Sequence, residues 1–202
     1  MSQPLTVPEA IAHRSSIRQF EAGPLTDAEV HELLGLAIQA PSAFNFQPWR
    51  FVAVRDPAVK AQLRGAAFGQ AQVEGAQLLV VLYTDMADAL AHLDEIVHPG
   101  LPEAQREPTK QRLAASFASK STEEAEAWGA EQSYIALGYL LLAAESLGYG
   151  TSPMLGFNPA QVKEILGLPA TSRVPALVAI GRPAAAGFPR HRHPIERVVR
   201  FV

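Results

Sequence analysis

With 202 residues, 48% of them apolar and 18% charged, the chain can bury one sizeable core, which excludes a disordered or fibrous protein. A net charge of −3 gives no global reason to bind nucleic acid or an anionic membrane, so any anion site must be assembled locally. The absence of cysteine excludes disulfides, zinc–thiolate centres and thiol catalysis, and it is compatible with a reducing cytoplasm, the expected location.

The N-terminal stretch has no apolar core of a secretion signal. Thr6-x-x-Glu9, with Pro8 in the first turn, predicts a short helix to about Arg14. Thr26-x-x-Glu29 repeats the capping pattern and opens an amphipathic helix with Val30, Leu33, Leu34, Ala37 and Ile38 on one face, stopped by Pro41. Arg50 to Arg55 reads as a strand, and Asp56-Pro57 starts a further helix. The continuous apolar run from Gln77 to Thr84 predicts a strand buried on both faces.

Residues 85–121, with Pro99, Pro102 and Pro108, read as broken helices forming a lid or insert over a cleft. Ser121-x-x-Glu124 opens a long helix closed by Gly148. Its apolar part, Ile135 to Leu147, is shorter than a bilayer span and is flanked by Glu131 and Glu145, so it reads as a buried helix. Asn158-Pro159 begins a short helix ended by Gly167, Val174 to Ile180 reads as a buried strand, and Ile195 to Val202 as a last β-like stretch. Helices and strands interleave without a repeat or a boundary. This predicts a single domain over residues 1–202, an α/β sandwich around a mixed sheet.

Four segments carry chemistry. In Arg14-Ser15-Ser16-Ile17-Arg18-Gln19-Phe20, two arginines flank two hydroxyls, a donor set that suits a phosphate as well as a solvated basic turn. Pro41-Ser42-Ala43-Phe44-Asn45-Phe46-Gln47-Pro48-Trp49 mixes aromatics with amides, as a flat heteroaromatic ligand requires, though Trp49 reads as core. In Gly148-Tyr149-Gly150-Thr151-Ser152-Pro153-Met154-Leu155-Gly156-Phe157, the glycines permit close backbone approach, and Gly148 alone is explained as a helix cap. In Arg190-His191-Arg192-His193-Pro194, an extended backbone puts both arginines on one side, either around an anion or in solvent. The arginines oppose a metal at His191 and His193, so no metal is expected.

Together, in this order, the segments resemble the nitroreductase family of flavoproteins over nearly the whole chain. The resemblance implies an α+β fold with a mixed, mainly antiparallel sheet flanked by helices, and a homodimer with FMN at the interface. It assigns Arg14, Ser15, Ser16 and Arg18 to the flavin from its phosphate towards its ring, with Arg190 and Arg192 completing the phosphate site. Arg18 is the candidate for the N1/O2 edge. Pro41, Ser42, Ala43 and Asn45 would come from the other subunit. Pro153, Met154, Leu155 and Gly156 would line the ring and offer backbone donors, and Gln70 would meet the pyrimidine edge. Phe44 and Phe117 are candidates for the acceptor pocket, Phe117 equally for core packing. Many family members carry serine at the position of Ala43 and some carry glutamate at that of Leu155, which implies a more apolar cleft here.

The implied activity is hydride transfer from a transient NADH or NADPH through FMN to a nitroaromatic, quinone or similar small acceptor by a ping-pong mechanism, with no catalytic side chain. Neither G-x-G-x-x-G after a strand nor G-x-x-x-x-G-K-[ST] occurs, so a Rossmann nicotinamide site and nucleotide hydrolysis have no support. A flavin dehalogenase, a flavin-fragmenting enzyme and a non-catalytic flavin store are the alternatives.

Overall fold

A computed structural model describes residues 3–202; Met1 and Ser2, at the head of the N-terminal segment and of the expected 1–202 domain, lie outside it. In chain order its elements are α1 (Val7–His13), α2 (Asp27–Ala37), β1 (Trp49–Val54), α3 (Pro57–Ala66), α4 (Ala71–Gly75), β2 (Leu78–Thr84), α5 (Met86–Ala91) and α6 (Leu93–Ile96), followed by α7 (Glu103–Phe117), α8 (Thr122–Ser146), β3 (Gly150–Met154), α9 (Pro159–Leu166), β4 (Ala176–Gly181) and α10 (Ile195–Val198). All three capping boxes form, at Thr6, Thr26 and Ser121. Each satisfies amide groups that the first helical turn leaves without partners.

Among the described residues the strands make one sheet, in the order β1-β2-β4-β3, with every neighbouring pair antiparallel. One isolated parallel bridge, Ser16 to Thr151, gives it a mixed edge. The register pairs Trp49 with Thr84, Leu82 with Ala176 and Met154 with Leu177. The starts of β1 and β4 and the ends of β2 and β3 therefore share one end of the sheet. The Pro41–Pro48 turn enters at this end and the Leu155 loop leaves from it.

The apolar run of β2 is buried on both faces, as its composition predicts. Leu78, Val80 and Leu82 join the core under α2 and α8, while Leu79 and Val81 join the one under α3 and α9. A third cluster unites Phe46, Met86, Ile96, Leu113 and Phe117, so α5, α6 and α7 have a core of their own against the turn before β1. Glu126, buried on α8, accepts from Thr84 Oγ1 and from the Met86 amide at 2.9 Å, tying this layer to the sheet.

Three local expectations change. The Gly148–Phe157 segment, in which the sequence predicts no strand, contains edge strand β3 at Gly150–Met154. Its Gly, Ser and Pro content hides a strand, but an edge tolerates proline. The Ile17 amide donates to Thr151 O at 2.9 Å and covers the free edge. A Cβ on Gly150 would lie 2.6 Å from Ile17 Cγ1, so only glycine admits this contact. The C-terminal stretch is not a strand over Ile195–Val202. Ile195–Val198 is one helical turn and the remainder is irregular and exposed, since no strand among the described residues pairs with it. In the 85–121 segment, the broken helices end in the 15-residue α7, which accommodates Pro108.

Candidate functional site

The two arginine segments, near opposite ends of the sequence, meet. Arg14, Ser15, Ser16 and Arg18 line one cavity of about 190 Å³ with Phe188, Pro189, Arg190, His191 and Arg192. The first segment is placed by the Ser16 and Ile17 contacts to β3. The second returns from β4 as a strap. A Cβ on Gly187 would fall 2.7 Å from both Ser15 Oγ and Ser16 O, so the strap touches the hydroxyl segment without a side chain between them. Arg190 Nη1 donates to Ile11 O at 2.8 Å and Arg192 Nη1 to His191 O at 2.7 Å.

The electrostatics are those of a site short of an anion. Burial holds the Arg14 guanidinium below its ordinary pKa, repulsion from Arg192 and Arg190 adds to this, and only Glu145 opposes it. Burial in turn raises the Glu145 carboxyl, with Arg14 and His13 pulling the other way. Among the described residues, Arg14 Nη1 is buried without a hydrogen-bond partner. An enclosed, unpaired guanidinium N–H is costly, and a phosphate oxygen would satisfy it. The donor set therefore fits a phosphomonoester.

From this cavity β3 runs along the sheet edge, roughly 13 Å from Thr151 to Leu155 at about 3.3 Å per residue. Pro153 and Met154 are held in the strand by Val178 and Leu177, and Met154 is buried. Leu155 is 69% exposed, and Gly156 is exposed. Gly156 O accepts from Gln70 Nε2 at 2.7 Å, which brings Gln70 to the loop.

The third segment stands apart, and no residue of Pro41–Asn45 lines the arginine cavity. It is a tight turn with left-handed backbone at Phe44, Asn45 and Gln47 (φ 55°, 61° and 43°). Non-glycine residues with such backbone cost about 1–2 kcal/mol each. The turn is held by a Ser42 Oγ that accepts from the Gln47 amide at 2.9 Å, and by a Gln132 Oε1 that accepts from the Ala43 amide at 2.9 Å. Asn45 Nδ2 donates to Ile96 O at 3.3 Å, and Arg50 Nη1 to Gln47 O at 3.1 Å. Phe44 is 67% exposed at the tip, and Trp49 is buried, as its core reading requires.

Phe117 must be corrected. It is only 8% exposed, and its ring packs edge-on against Phe46 and Trp128 with centroids 5.1 and 5.0 Å apart. It holds the α5–α7 layer together and does not line an open pocket.

Sequence reasoning missed several residues. Phe68 is 73% exposed with φ 56°, beside Gly69 and Gln70. An exposed aromatic in left-handed backbone is doubly unfavourable without a ligand. The Phe-Gly pair signalled a turn, but not its placement. Gln72, buried between Gln70 and Met154, gave no signal at all. Phe188, whose ring lies 5.9 Å from the Arg18 guanidinium carbon, and Gly187 were hidden in an ordinary Gly-Phe-Pro stretch. Among the described residues, no cluster of three or more His, Asp or Glu could hold a metal, and no helix is long and apolar enough to cross a membrane.

The nitroreductase family model matches residues 11–182. A Thermus thermophilus protein named NADH dehydrogenase is 54% identical over 190 residues, covering 94% of this chain and 93% of its own length. The Bacillus subtilis protein YdgI, named as an NAD(P)H nitroreductase, is 29% identical over 201 residues, covering 96% of each chain. A crystal structure from Exiguobacterium sibiricum, named as a nitroreductase in complex with FMN, superposes with a TM-score of 0.90 at 26% identity, covering 100% of this chain and 99% of its own.

Proposed function

Because the chain belongs to the nitroreductase family of NAD(P)H oxidoreductases, we propose that it binds FMN and carries hydride from NADH or NADPH to a nitroaromatic, quinone or similar acceptor. One observation carries the reading: the enclosed, unpartnered Arg14 Nη1 in a cavity shared with Ser15, Ser16, Arg190 and Arg192. These residues hold the phosphate. Arg18 follows along the flavin and opposes the negative charge that reduction places on its N1/O2 edge. Leu155 and Gly156 leave the sheet at the ring, with Pro153 and Met154 fixing their approach and Gln70 at the pyrimidine edge. When bound, FMN supplies the two-electron chemistry, and the protein positions and tunes it.

The rest of the pocket belongs to a second copy of the chain. A cavity of about 190 Å³ holds the phosphate end but falls short of the roughly 300–1,000 Å³ of a small-molecule pocket. Pro41, Ser42, Ala43 and Asn45, absent from that cavity, supply the missing wall from the partner. The hydroxyl proton of Ser42 stays free to donate, because its oxygen is the acceptor for Gln47. Val7, Ile11, Leu36, Tyr134, Ile135 and Tyr139 are exposed on α1, α2 and α8, and several of them line an apolar groove of about 440 Å³. Such a face suits a homodimer interface. Phe201 and Val202 at the C-terminus are also exposed, and we assign them to contact with the neighbouring copy.

Phe44 and Phe68 flank the acceptor space, and the α5–α7 layer roofs it as the lid of a single domain. Nicotinamide and acceptor use the same space in turn, so kinetics are ping-pong. No side-chain base or nucleophile takes part, and the acceptor draws its protons from solvent.

The test is an absorbance spectrum of the pure protein before and after anaerobic NADH and, separately, NADPH. The expected result is a flavin spectrum that bleaches and returns on adding a quinone or nitroaromatic. A flavin that neither NADH nor NADPH can bleach would indicate a storage module, and its destruction under oxygen a flavin-fragmenting enzyme. A colourless protein that ignores added FMN would remove the proposal.

A further inference from the structure

Two glutamines at the start of α4 form a directional relay. Gln70 Nε2 donates to Ala67 O at 3.2 Å and to Gly156 O at 2.7 Å. Backbone carbonyls cannot donate, so the orientation of this amide is fixed by its neighbours: both N–H bonds turn to the backbone. The Oε1 atom is the only hydrogen-bonding group that Gln70 has left. Gln72 Nε2 donates to that oxygen at 3.1 Å and lies 3.4 Å from Met154 Sδ. Gln72 is buried, while Gln70 is half-exposed beside exposed Phe68 and Gly156. An amide oxygen accepts two hydrogen bonds, and Gln72 takes one.

We propose that Gln72 is a positioning residue: it clamps the Gln70 amide so that the second lone pair of Gln70 Oε1 faces the cleft as an acceptor and reads the imide N3–H of the flavin. The inference rests on the FMN reading above. The pyrimidine end of the ring carries one N–H between two carbonyls. An acceptor can pair only with the N–H, whereas a relay of opposite sense would offer a donor and select a carbonyl. The same relay ties the loop at Gly156 to α4, so recognition of the ring edge and placement of the ring-side backbone depend on one pair of amides.

Gln72→Glu inverts the logic at nearly constant volume. A carboxylate oxygen then stands where Nε2 donated, about 3.1 Å from Gln70 Oε1, and two acceptors at that distance repel. The Gln70 amide is then caught between this repulsion and the two carbonyls that hold its Nε2, so its oxygen is displaced and no longer held towards the cleft. Gln72→Leu deletes the donor without adding an acceptor, so Gln70 stays oriented by the backbone alone.

The experiment reads bound cofactor, not turnover. Holoprotein is reconstituted with ¹⁵N-labelled FMN, and the N3–H proton is followed by its resonance and its exchange with water. In the wild type this proton is expected to be protected. In Gln72→Glu it exchanges at the rate of free FMN while FMN stays bound through its phosphate. In Gln72→Leu exchange quickens by about three- to tenfold, the equivalent of one ordinary hydrogen bond weakened. Gln70→Ala behaves as Gln72→Glu. Thermal melts confirm folding, and if Gln72→Glu does not fold, Gln72→Leu decides. A wild-type N3–H that exchanges freely, or one unchanged in the folded Gln72 variants, overturns the inference. Failure of the wild type to bind FMN would instead overturn the functional reading.

Discussion

Replacing Arg14 with alanine removes a guanidinium whose Nη1 is enclosed without a partner among the described residues. The cost of burying this charge against Arg190 and Arg192 is already met in the folded protein. A phosphate therefore gains the bond without a new desolvation cost at the arginine. One charge-assisted hydrogen bond contributes about 1.5–3 kcal/mol, or about 10- to 150-fold in affinity. Arg190 and Arg192 remain to attract the anion, so about 10- to 100-fold weaker FMN binding is expected. Titration of flavin fluorescence with cofactor-free protein measures it. Riboflavin, which lacks the phosphate, is the control, and its affinity should shift less than about threefold, below the strength of one charged bond. The salt dependence of FMN binding should also flatten in the variant. Equal losses for FMN and riboflavin would show that Arg14 only shapes the fold. Undiminished FMN binding would refute the phosphate assignment.

Gly187→Ala places a methyl 2.7 Å from Ser15 Oγ and Ser16 O, so the strap must lift; FMN affinity should fall, read against an unchanged melting temperature. Phe68→Gly relieves left-handed backbone at an exposed site, and a stability gain of about 1 kcal/mol should accompany a raised KM for aromatic acceptors; an unchanged KM would remove Phe68 from the acceptor space. Phe117→Ala opens a cavity between Phe46 and Trp128 and should cost about 3–5 kcal/mol in denaturant unfolding, with little change in acceptor KM for the folded fraction. Glu29 accepts from Thr26, Arg182 and Tyr149, with Thr26 the largest cause of a carboxyl pKa held down from 4.5 to about 2. A depressed carboxyl stabilises the fold above its unfolded value and loses that contribution as pH falls through its folded one. Glu29→Gln should therefore flatten the acid limb of the stability profile between about pH 4.5 and 2, and an unchanged limb would dismiss the pairing.

Much of the fold was legible because its signals are local. The boxes at Thr6, Thr26 and Ser121 name their own partners three residues on, and Gly148 and Gly167 end α8 and α9 with the positive φ that glycine tolerates. The unbroken apolar run of β2 could be satisfied only between two layers. The amino-acid pattern also supplied the raw chemistry of the site, two pairs of arginines and two hydroxyls, since phosphate recognition needs those groups whatever the fold. Only tertiary structure could bring Arg14 to Arg192, because loop closure over such a separation depends on the β3 edge, the Ser16 bridge and the strap at Gly187. It alone made Gly150–Met154 a strand, through pairing with β4 and the cover from Ile17, and it alone sent Phe117 into the core while leaving Phe68 outside. Gln72 has no local signature because its role lies in the direction of one amide towards another. Local preferences are written residue by residue, whereas burial, charge repulsion and hydrogen-bond sense arise only between segments that the fold has already brought together.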